Sequence, residues 1–392
     1  MKINDIYEVK IDNVDNNGNG VCRIDNVVTF VSNGLKDEIL KIQIDTIEKN
    51  YTHAHIIKII KPSELRENIP CKYYELCGGC NFLHTTYSNE IEIKKAYIER
   101  LFNREVNVLE NKNIYNYRNK VTLHCINGKL GYYNSKTHDL CEIDKCLLLN
   151  EKINLKIADL KNFNLNGISE IMIRCINNQI MINITGEKID SKLNDIECDS
   201  LYINSKYIKG KEYLMDEINN IKYSIYPESF YQVNKEGMIN IYNKALDYAQ
   251  NADRLIDLYC GIGTIGIWLN SKFNKVYGIE INASSIKNAN INKELNNLDN
   301  ITFKLGDAKL IQNNIKESDL IVVDPPRAGL SKNVISILNN SKVNKVIYIS
   351  CNPKTLKRDI ELMNNYELKD LSICNMFNRT SHVETVCVLE RK

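Results

Sequence analysis

The stretch that most restricts the fold is Leu255–Asn270, LIDLYCGIGTIGIWLN. An apolar run closing on Asp257-Leu258-Tyr259-Cys260, then Gly261-Ile262-Gly263-Thr264, then an apolar segment of helical character predict a buried strand, a tight glycine turn and a helix start. Glycines let the backbone turn sharply and approach a ligand, and a helix N-terminus favours negative charge. A second apolar strand, Lys275–Ile281, carries Glu280 near its end. In Rossmann-like sheets an acid at this place accepts hydrogen bonds from ribose hydroxyls. The third glycine of GxGxxG is missing, which disfavours NAD, and no GxxxxGK[ST] follows to cradle a triphosphate. S-adenosylmethionine, which has a ribose but no phosphate, fits best. Further strands at Ile301–Leu305, Leu320–Asp324 and Lys345–Ser350 alternate with helical segments, the pattern of a doubly wound α/β sheet. They bring Asp307, Asp324 and Cys351 to strand carboxyl ends, where such sheets bind ligands.

At 392 residues the chain has room for two or three domains. A hydrophobic content of 43% and a formal charge of +2 describe an ordinary soluble protein and neither require nor exclude nucleic acid. The start, MKINDIYEVKIDN, lacks the apolar core of a signal peptide, and no apolar run is long enough to span a bilayer. Thirteen cysteines without a secretion signal point to the cytoplasm, where clustered thiols mean metal or catalysis rather than disulfides. No membrane is expected as a partner, and a monomer is.

Residues 1–61 alternate short β-rich segments, Ile6–Ile11, Val27–Val31, Glu38–Ile44 and His53–Ile60, around turns at Gly18, Gly20 and Gly34. They predict a small antiparallel barrel of OB-like type with balanced charge. A polar connector from Lys61 to Pro70 precedes Cys71-Lys-Tyr-Tyr-Glu-Leu-Cys77-Gly-Gly-Cys80. Three thiols within ten residues, with two glycines letting the backbone fold around a centre, form a metal signature. Cys125, Cys141 and Cys146 are candidates for the fourth ligand. A single short knuckle favours an iron–sulfur cluster over zinc. A helix is expected over Ser88–Arg104, with Ile91, Ala96, Ile98 and Leu101 inward. Tyr115-Asn-Tyr117-Arg118-Asn-Lys120 sets aromatics beside cations, which suits base stacking and phosphate contact. The divisions expected are a barrel at 1–61, a central α+β domain with the metal cluster at 62–225 and a Rossmann-like domain at 226–392.

The reactive residues follow. Asp324-Pro325-Pro326-Arg327 is a stiff turn leaving a buried strand, and it holds Asp324 at the pocket mouth. DPP-type turns also serve amine methyltransferases. Ser350-Cys351-Asn352-Pro353 discriminates better, because Cys351 ends an apolar strand beside the donor. Uracil C5 is a poor nucleophile, and a thiolate adding to C6 makes it electron-rich. A base must then remove the C5 proton. Glu384, in Thr380-Ser-His-Val-Glu384-Thr, is the candidate, ionised at neutral pH unless burial raises its pKa.

In this order FYQVN, DLYCGIG, GIE, DPPR, SCNP and HVET resemble the RNA uridine-C5 methyltransferase family, over essentially the whole chain. The barrel and CxxxxxCGGC are similar to its ribosomal-RNA branch, which carries a TRAM domain and a [4Fe-4S] cluster. The resemblance implies S-adenosylmethionine-dependent methylation of uridine in RNA, with 23S ribosomal RNA as substrate. It implies Cys351 as nucleophile and Glu384 as proton acceptor, with Gln232, Tyr259, Glu280, Asp307 and Asp324 at the donor and substrate pocket. Cys71, Cys77, Cys80 and Cys146 would be the cluster ligands. Tyr259 stands where many relatives have phenylalanine, and the barrel's balanced charge is a second departure. Two rivals within reach are the transfer-RNA branch and a non-catalytic RNA-binding iron–sulfur protein.

Overall fold

Successive side chains of a strand point to opposite faces, so Val9, Cys22, Ile24 and Val31 of the N-terminal strands turn inward. The computed structural model describes residues 1–134, 137–249, 253–313, 315 and 318–392. Its contacts divide the chain into two units, the first formed by Met1–Arg104, Tyr133–Cys141 and Phe377–His382.

In that first unit six strands pair in the order Ile6–Lys10, Ile39–Ile47, Tyr51–Lys61, Val27–Val31, Gly20–Ile24 and Asn13–Val14. Val9, Ile11, Cys22, Val31, Leu40, Ile42, Ile44 and Ala54 form the core beneath. The expected strands are present, with Asn13–Val14 and Gly20–Ile24 added and one departure from an antiparallel plan. Val27–Val31 and Tyr51–Lys61 run parallel. The helix expected over Ser88–Arg104 spans Tyr87–Phe102, capped by the Thr86 side chain and ended by Asn103 in the left-handed region. Its inward face differs from the expected one. Ile98 is buried, but Ala96 is exposed, and Glu90 and Lys94 take the remaining fully buried positions. They pair at 2.8 Å, and Glu90 also accepts the Arg379 backbone N–H. Pairing makes burial of both charges tolerable.

The second unit comprises Glu105–Tyr132, Glu142–Met376 and Val383–Lys392. One mixed sheet includes, in hydrogen-bonded order, Lys120–Ile126, Ile168–Ile176, Gln179–Gly186, Ser200–Ile203 and Lys206–Gly210. A hairpin of Leu214–Ile218 and Ile221–Ile225 follows, closed by Asn219 and Asn220, both at positive φ as a two-residue hairpin turn requires.

The larger sheet positions the site. Its order is Ile301–Leu305, Lys275–Glu280, Arg254–Leu258, Leu320–Val323, Lys345–Ser350, Glu384–Arg391, Tyr366–Cys374 and Asn107–Leu109. The first five strands are parallel, and Glu384–Arg391 enters antiparallel beside Lys345–Ser350. LIVV and KVIYIS are buried along almost their whole length, as strands covered on both faces must be. Among the described residues no helix is long and apolar enough to cross a membrane.

Candidate active site

The glycine turn is built by backbone demand. Tyr259, Gly261 and Gly263 have φ of 63°, 55° and 82°. Gly263 also abuts Phe303, whose ring lies 2.5 Å from where a Cβ would stand. A Cβ on Gly261 would meet nothing within 4 Å, so this side of the turn faces open space. Glu280 reaches back from the next strand and accepts the Gly261 N–H at 3.3 Å and the Asn282 N–H at 2.8 Å. Beneath the turn Asp257, fully buried, accepts the Gly266 N–H at 2.8 Å. Burial pushes its carboxyl up to about 8.

Tyr259 is half-buried and donates its backbone N–H to Ile279. A tyrosine at positive φ is an outlier that its surroundings must enforce, at a cost of roughly 1–3 kcal/mol. Burial, then the charge of Asp307, raises its phenol to about 12. Asp307 is exposed beyond the strand Ile301–Leu305. Ile281, next to Glu280, leaves 69% of its surface exposed, an apolar wall beside the acid. A carboxylate, an apolar wall and an open glycine turn fit the ribose and adenine of S-adenosylmethionine.

Cys351 and Glu384 come together through strand register. Ser350 pairs with Thr385, and the Thr385 hydroxyl donates to the Ser350 carbonyl at 2.9 Å. Cys351 directly follows Ser350 and Glu384 directly precedes Thr385, so the two flank the last rung of this pairing. Asp324 ends the strand on the other side of Lys345–Ser350. Their electrostatics agree with this placement. Burial raises the Cys351 thiol, the charges of Glu384 and Asp324 raise it further, and Arg327 lowers it. Asp324 is raised by burial to about 7. Glu384, only 4% exposed, is raised well above the usual carboxylate range by burial and then by Asp324, against Arg327. The condition set for Glu384 is met, because the strand delivers it into the interior and burial raises its carboxyl.

Gln232 is half-buried in the segment Tyr226–Asn234, which several side chains pin. Arg174, fully buried, donates to the Tyr226 and Ser229 carbonyls at 3.1 and 2.8 Å. Asn119 donates to the Gln232 carbonyl at 2.9 Å, and buried Asp216 accepts the Tyr231 hydroxyl at 2.8 Å and Lys235 at 2.6 Å. The segment projects Phe230, which is 69% exposed. The TyrAsnTyrArg segment expected to stack on bases is partly withdrawn, with Tyr117 buried. Sequence reading also missed the residues that tie the DPPR and SCNP turns. Asn352 and Thr355 donate to the Arg327 carbonyl at 3.0 and 3.2 Å, and buried Asp359 accepts the Leu330 N–H at 2.7 Å. Asn352 next to Cys351 was the signal available.

Cys71, Cys77 and Cys80 lie half-buried in an irregular loop of the first unit. Near them Cys141 is buried, its thiol raised by that burial and then by Cys71. Cys146 belongs to the second unit, where its backbone exchanges hydrogen bonds with the Asn154 side chain at 2.9 and 3.0 Å. Among the described residues no three His, Cys, Asp or Glu side chains converge as metal ligands do.

Comparison with known proteins places these geometries. The tRNA (uracil-5-)-methyltransferase family profile matches residues 177–392, and the TRAM domain profile matches residues 2–57. An uncharacterized RNA methyltransferase of Clostridium tetani is 32% identical, covering 99% of this chain and 97% of its own length. A Listeria innocua protein of the same description is 32% identical over 100% of this chain and 99% of its own. The Pyrococcus abyssi tRNA (uracil-54, C5)-methyltransferase, solved with S-adenosyl-L-homocysteine, shares the fold with a TM-score of 0.83 and 24% identity, covering 98% of this chain and all of that one.

Proposed function

The chain belongs to the tRNA (uracil-5-)-methyltransferase family of S-adenosylmethionine-dependent RNA methyltransferases, with a TRAM domain ahead of the catalytic residues, and from that premise we propose that it methylates C5 of uridine in 23S ribosomal RNA. The observation that carries the chemistry is that Cys351 and Glu384 flank the Ser350–Thr385 rung, with the charge of Asp324 acting on both. The ribosomal substrate is favoured by the CxxxxxCGGC motif joined to a TRAM domain.

Gln232, Tyr259, Glu280, Asp307 and Asp324 would hold the donor and the target base. The donor supplies an electrophilic methyl group when bound. Cys351 gives its thiol proton to a neighbouring carboxylate, and its sulfur adds to uracil C6. The C5=C6 electron pair moves towards O4, making C5 nucleophilic, and C5 would take the methyl group as the donor's S–CH3 bond breaks and its electron pair returns to sulfur, releasing S-adenosylhomocysteine. Glu384 as carboxylate then accepts the C5 proton, and the C–H pair restores C5=C6 as the C6–S bond breaks. A raised pKa makes the ionised carboxylate a stronger base for this step. Arg327, which lowers both Glu384 and Cys351, helps keep the reacting forms ionised.

We assign Cys71, Cys77 and Cys80 on their spacing, and Cys146 on the family resemblance, to a [4Fe-4S] cluster, with no step of catalysis passing through it. The domain division proposed is 1–61, 62–225 and 226–392, and the protein is placed in the cytoplasm as a monomer. The test uses RNA with 5-fluorouridine at the target, since fluorine cannot leave as a cation. With donor present, 23S fragments should form a denaturation-resistant complex that Cys351→Ala does not form. Methylation of transfer RNA instead, with 23S RNA left unmodified, moves the enzyme to the transfer-RNA branch. RNA binding with no methyl transfer to either substrate would sink the catalytic reading.

A further inference from the structure

Catalysis leaves unused a group of rings on the N-terminal sheet. Phe30 and His53 are register partners on the two parallel-paired strands, and Tyr51 pairs with Val28 on the same face. Ring centroids lie 5.7 Å apart for Phe30–Tyr51, 5.6 Å for Phe30–His53 and 5.4 Å for Tyr51–His53. The pairs involving Tyr51 are edge-to-face, at 79° and 84°. In an edge-to-face pair one ring presents only its rim, so π-faces remain available to a third ring.

Strand alternation decides where the rings point. Thr52 and Ala54 are fully buried, so Tyr51 and His53 stand on the opposite, outer face. Tyr51 is 39% exposed, His53 is exposed and Phe30 half-buried, so this is not core packing. Exposed Arg23 lies one strand over, opposite Val28, while His55 is held by Asp45 at 2.6 Å. Three rings with one nearby arginine make a surface whose attraction is aromatic more than ionic. Nucleic-acid bases supply the matching flat π-faces, and only unpaired bases can turn a face towards a protein ring. Arginine beside rings complements the phosphates that accompany such bases.

Resting on the reading of the chain as an RNA methyltransferase, we propose that Phe30, Tyr51 and His53 form a stacking platform for unpaired bases of the RNA substrate. The platform binds through ring faces and requires the bound segment to be single-stranded at this point.

The test is fluorescence anisotropy of the full-length protein with a labelled oligoadenylate, against a blunt RNA duplex of equal length. Tyr51→Phe should bind oligoadenylate as wild type, whereas Tyr51→Leu, which keeps apolar bulk without a ring, should bind about tenfold more weakly. Binding of the duplex should be unchanged by either substitution. The slope of affinity against salt should also stay the same, since no phosphate contact is removed. Calorimetric binding of S-adenosylhomocysteine serves as the folding control. Oligoadenylate affinity unchanged in Tyr51→Leu overturns the platform and leaves the face to a protein partner. An equal loss for duplex and single strand, or a lowered salt slope, also overturns it. Ring-dependent binding by a protein that makes no 5-methyluridine would instead retain the platform and sink the methyltransferase reading.

Discussion

The crevice of the large sheet and the cysteine loop of the first unit carry equally suggestive motifs, yet they are held in different ways. Cys351, Asp324 and Glu384 stand at the ends of three neighbouring strands, and Thr385 bonds across one rung to Ser350. Their positions follow from the backbone ladder. Cys71, Cys77 and Cys80 lie in a loop without helix or strand, and no three such ligands converge among the described residues. Spacing in sequence is therefore a weaker guide than register. A ligand set joined by loops needs its metal to define the geometry, whereas strand ends define it unaided.

The largest effect expected is at Glu384. Glu384→Gln keeps size but cannot accept the C5 proton, so turnover should fall by several orders of magnitude while one methyl group is transferred. The product should be a methylated protein–RNA adduct, read by denaturing electrophoresis with donor labelled in the methyl group. Wild-type turnover should rise with pH at values above the usual carboxylate range, since burial raises Glu384 well above that range and a base must be ionised to act. An unchanged rate in Glu384→Gln would transfer the role to Asp324.

The cysteine loop should respond in the opposite sense. Cys77→Ser or Cys146→Ser should remove iron and acid-labile sulfide from anaerobically purified protein while methyl transfer to a short RNA continues within a few-fold. Stoichiometric zinc in an active, colourless protein would break the assignment. Loss of chemistry as severe as in Glu384→Gln would erase the difference between the two regions.

A smaller effect separates register from the turns that decorate it. Asn352 caps the helix Pro353–Leu362 through the Lys354 N–H and donates to the Arg327 carbonyl. Asn352→Asp keeps the cap and loses the donated bond, so kcat/KM should fall by up to about tenfold with little change in stability. Asn352→Ala loses both, adding a destabilisation of about 1 kcal/mol in urea titration. Equal effects from the two would mean that the cap contributes nothing, and an unchanged kcat/KM in Asn352→Asp would mean the same of the tie to Arg327.

The subtlest test concerns Asp257. Its folded carboxyl is raised from 3.8 to about 8, so between those values the folded state binds the proton and the unfolded state does not. Stability from this group is present at low pH and is lost as pH rises through that window. Asp257→Asn should flatten that decline, with a gain of about 1 kcal/mol or more at pH 8 relative to pH 5. Parallel pH curves for wild type and variant would show that Asp257 stays ionised in the fold.

Much of this was legible in the chain. LIDLYCGIGTIG gave the strand, turn and helix because glycine at positive φ and apolar runs are local properties. Cys351 was legible as the end of a buried strand. The burial of Glu384 was not, since the residue opens a strand after polar Thr380-Ser-His and only pairing with Lys345–Ser350 puts it inside. Nor could periodicity foresee Lys94 buried in place of Ala96, because its partner Glu90 compensates the charge one turn away. Arg174, Asn119 and Asp216 act on a segment distant in sequence, so nothing local marks them.

The rung joining Ser350 to Thr385 also sets a clock. Strands buried in the middle of a sheet open their hydrogen bonds only when the whole domain unfolds, whereas loops open many times more often. Amide protons on either side of that rung should therefore exchange with solvent at the rate of global unfolding, far more slowly than those of the DPPR turn. Nucleophile and base would keep their spacing through every lesser fluctuation. On warming, the crevice should lose its reactive geometry only at the melting transition itself, while its surrounding turns have long been in motion.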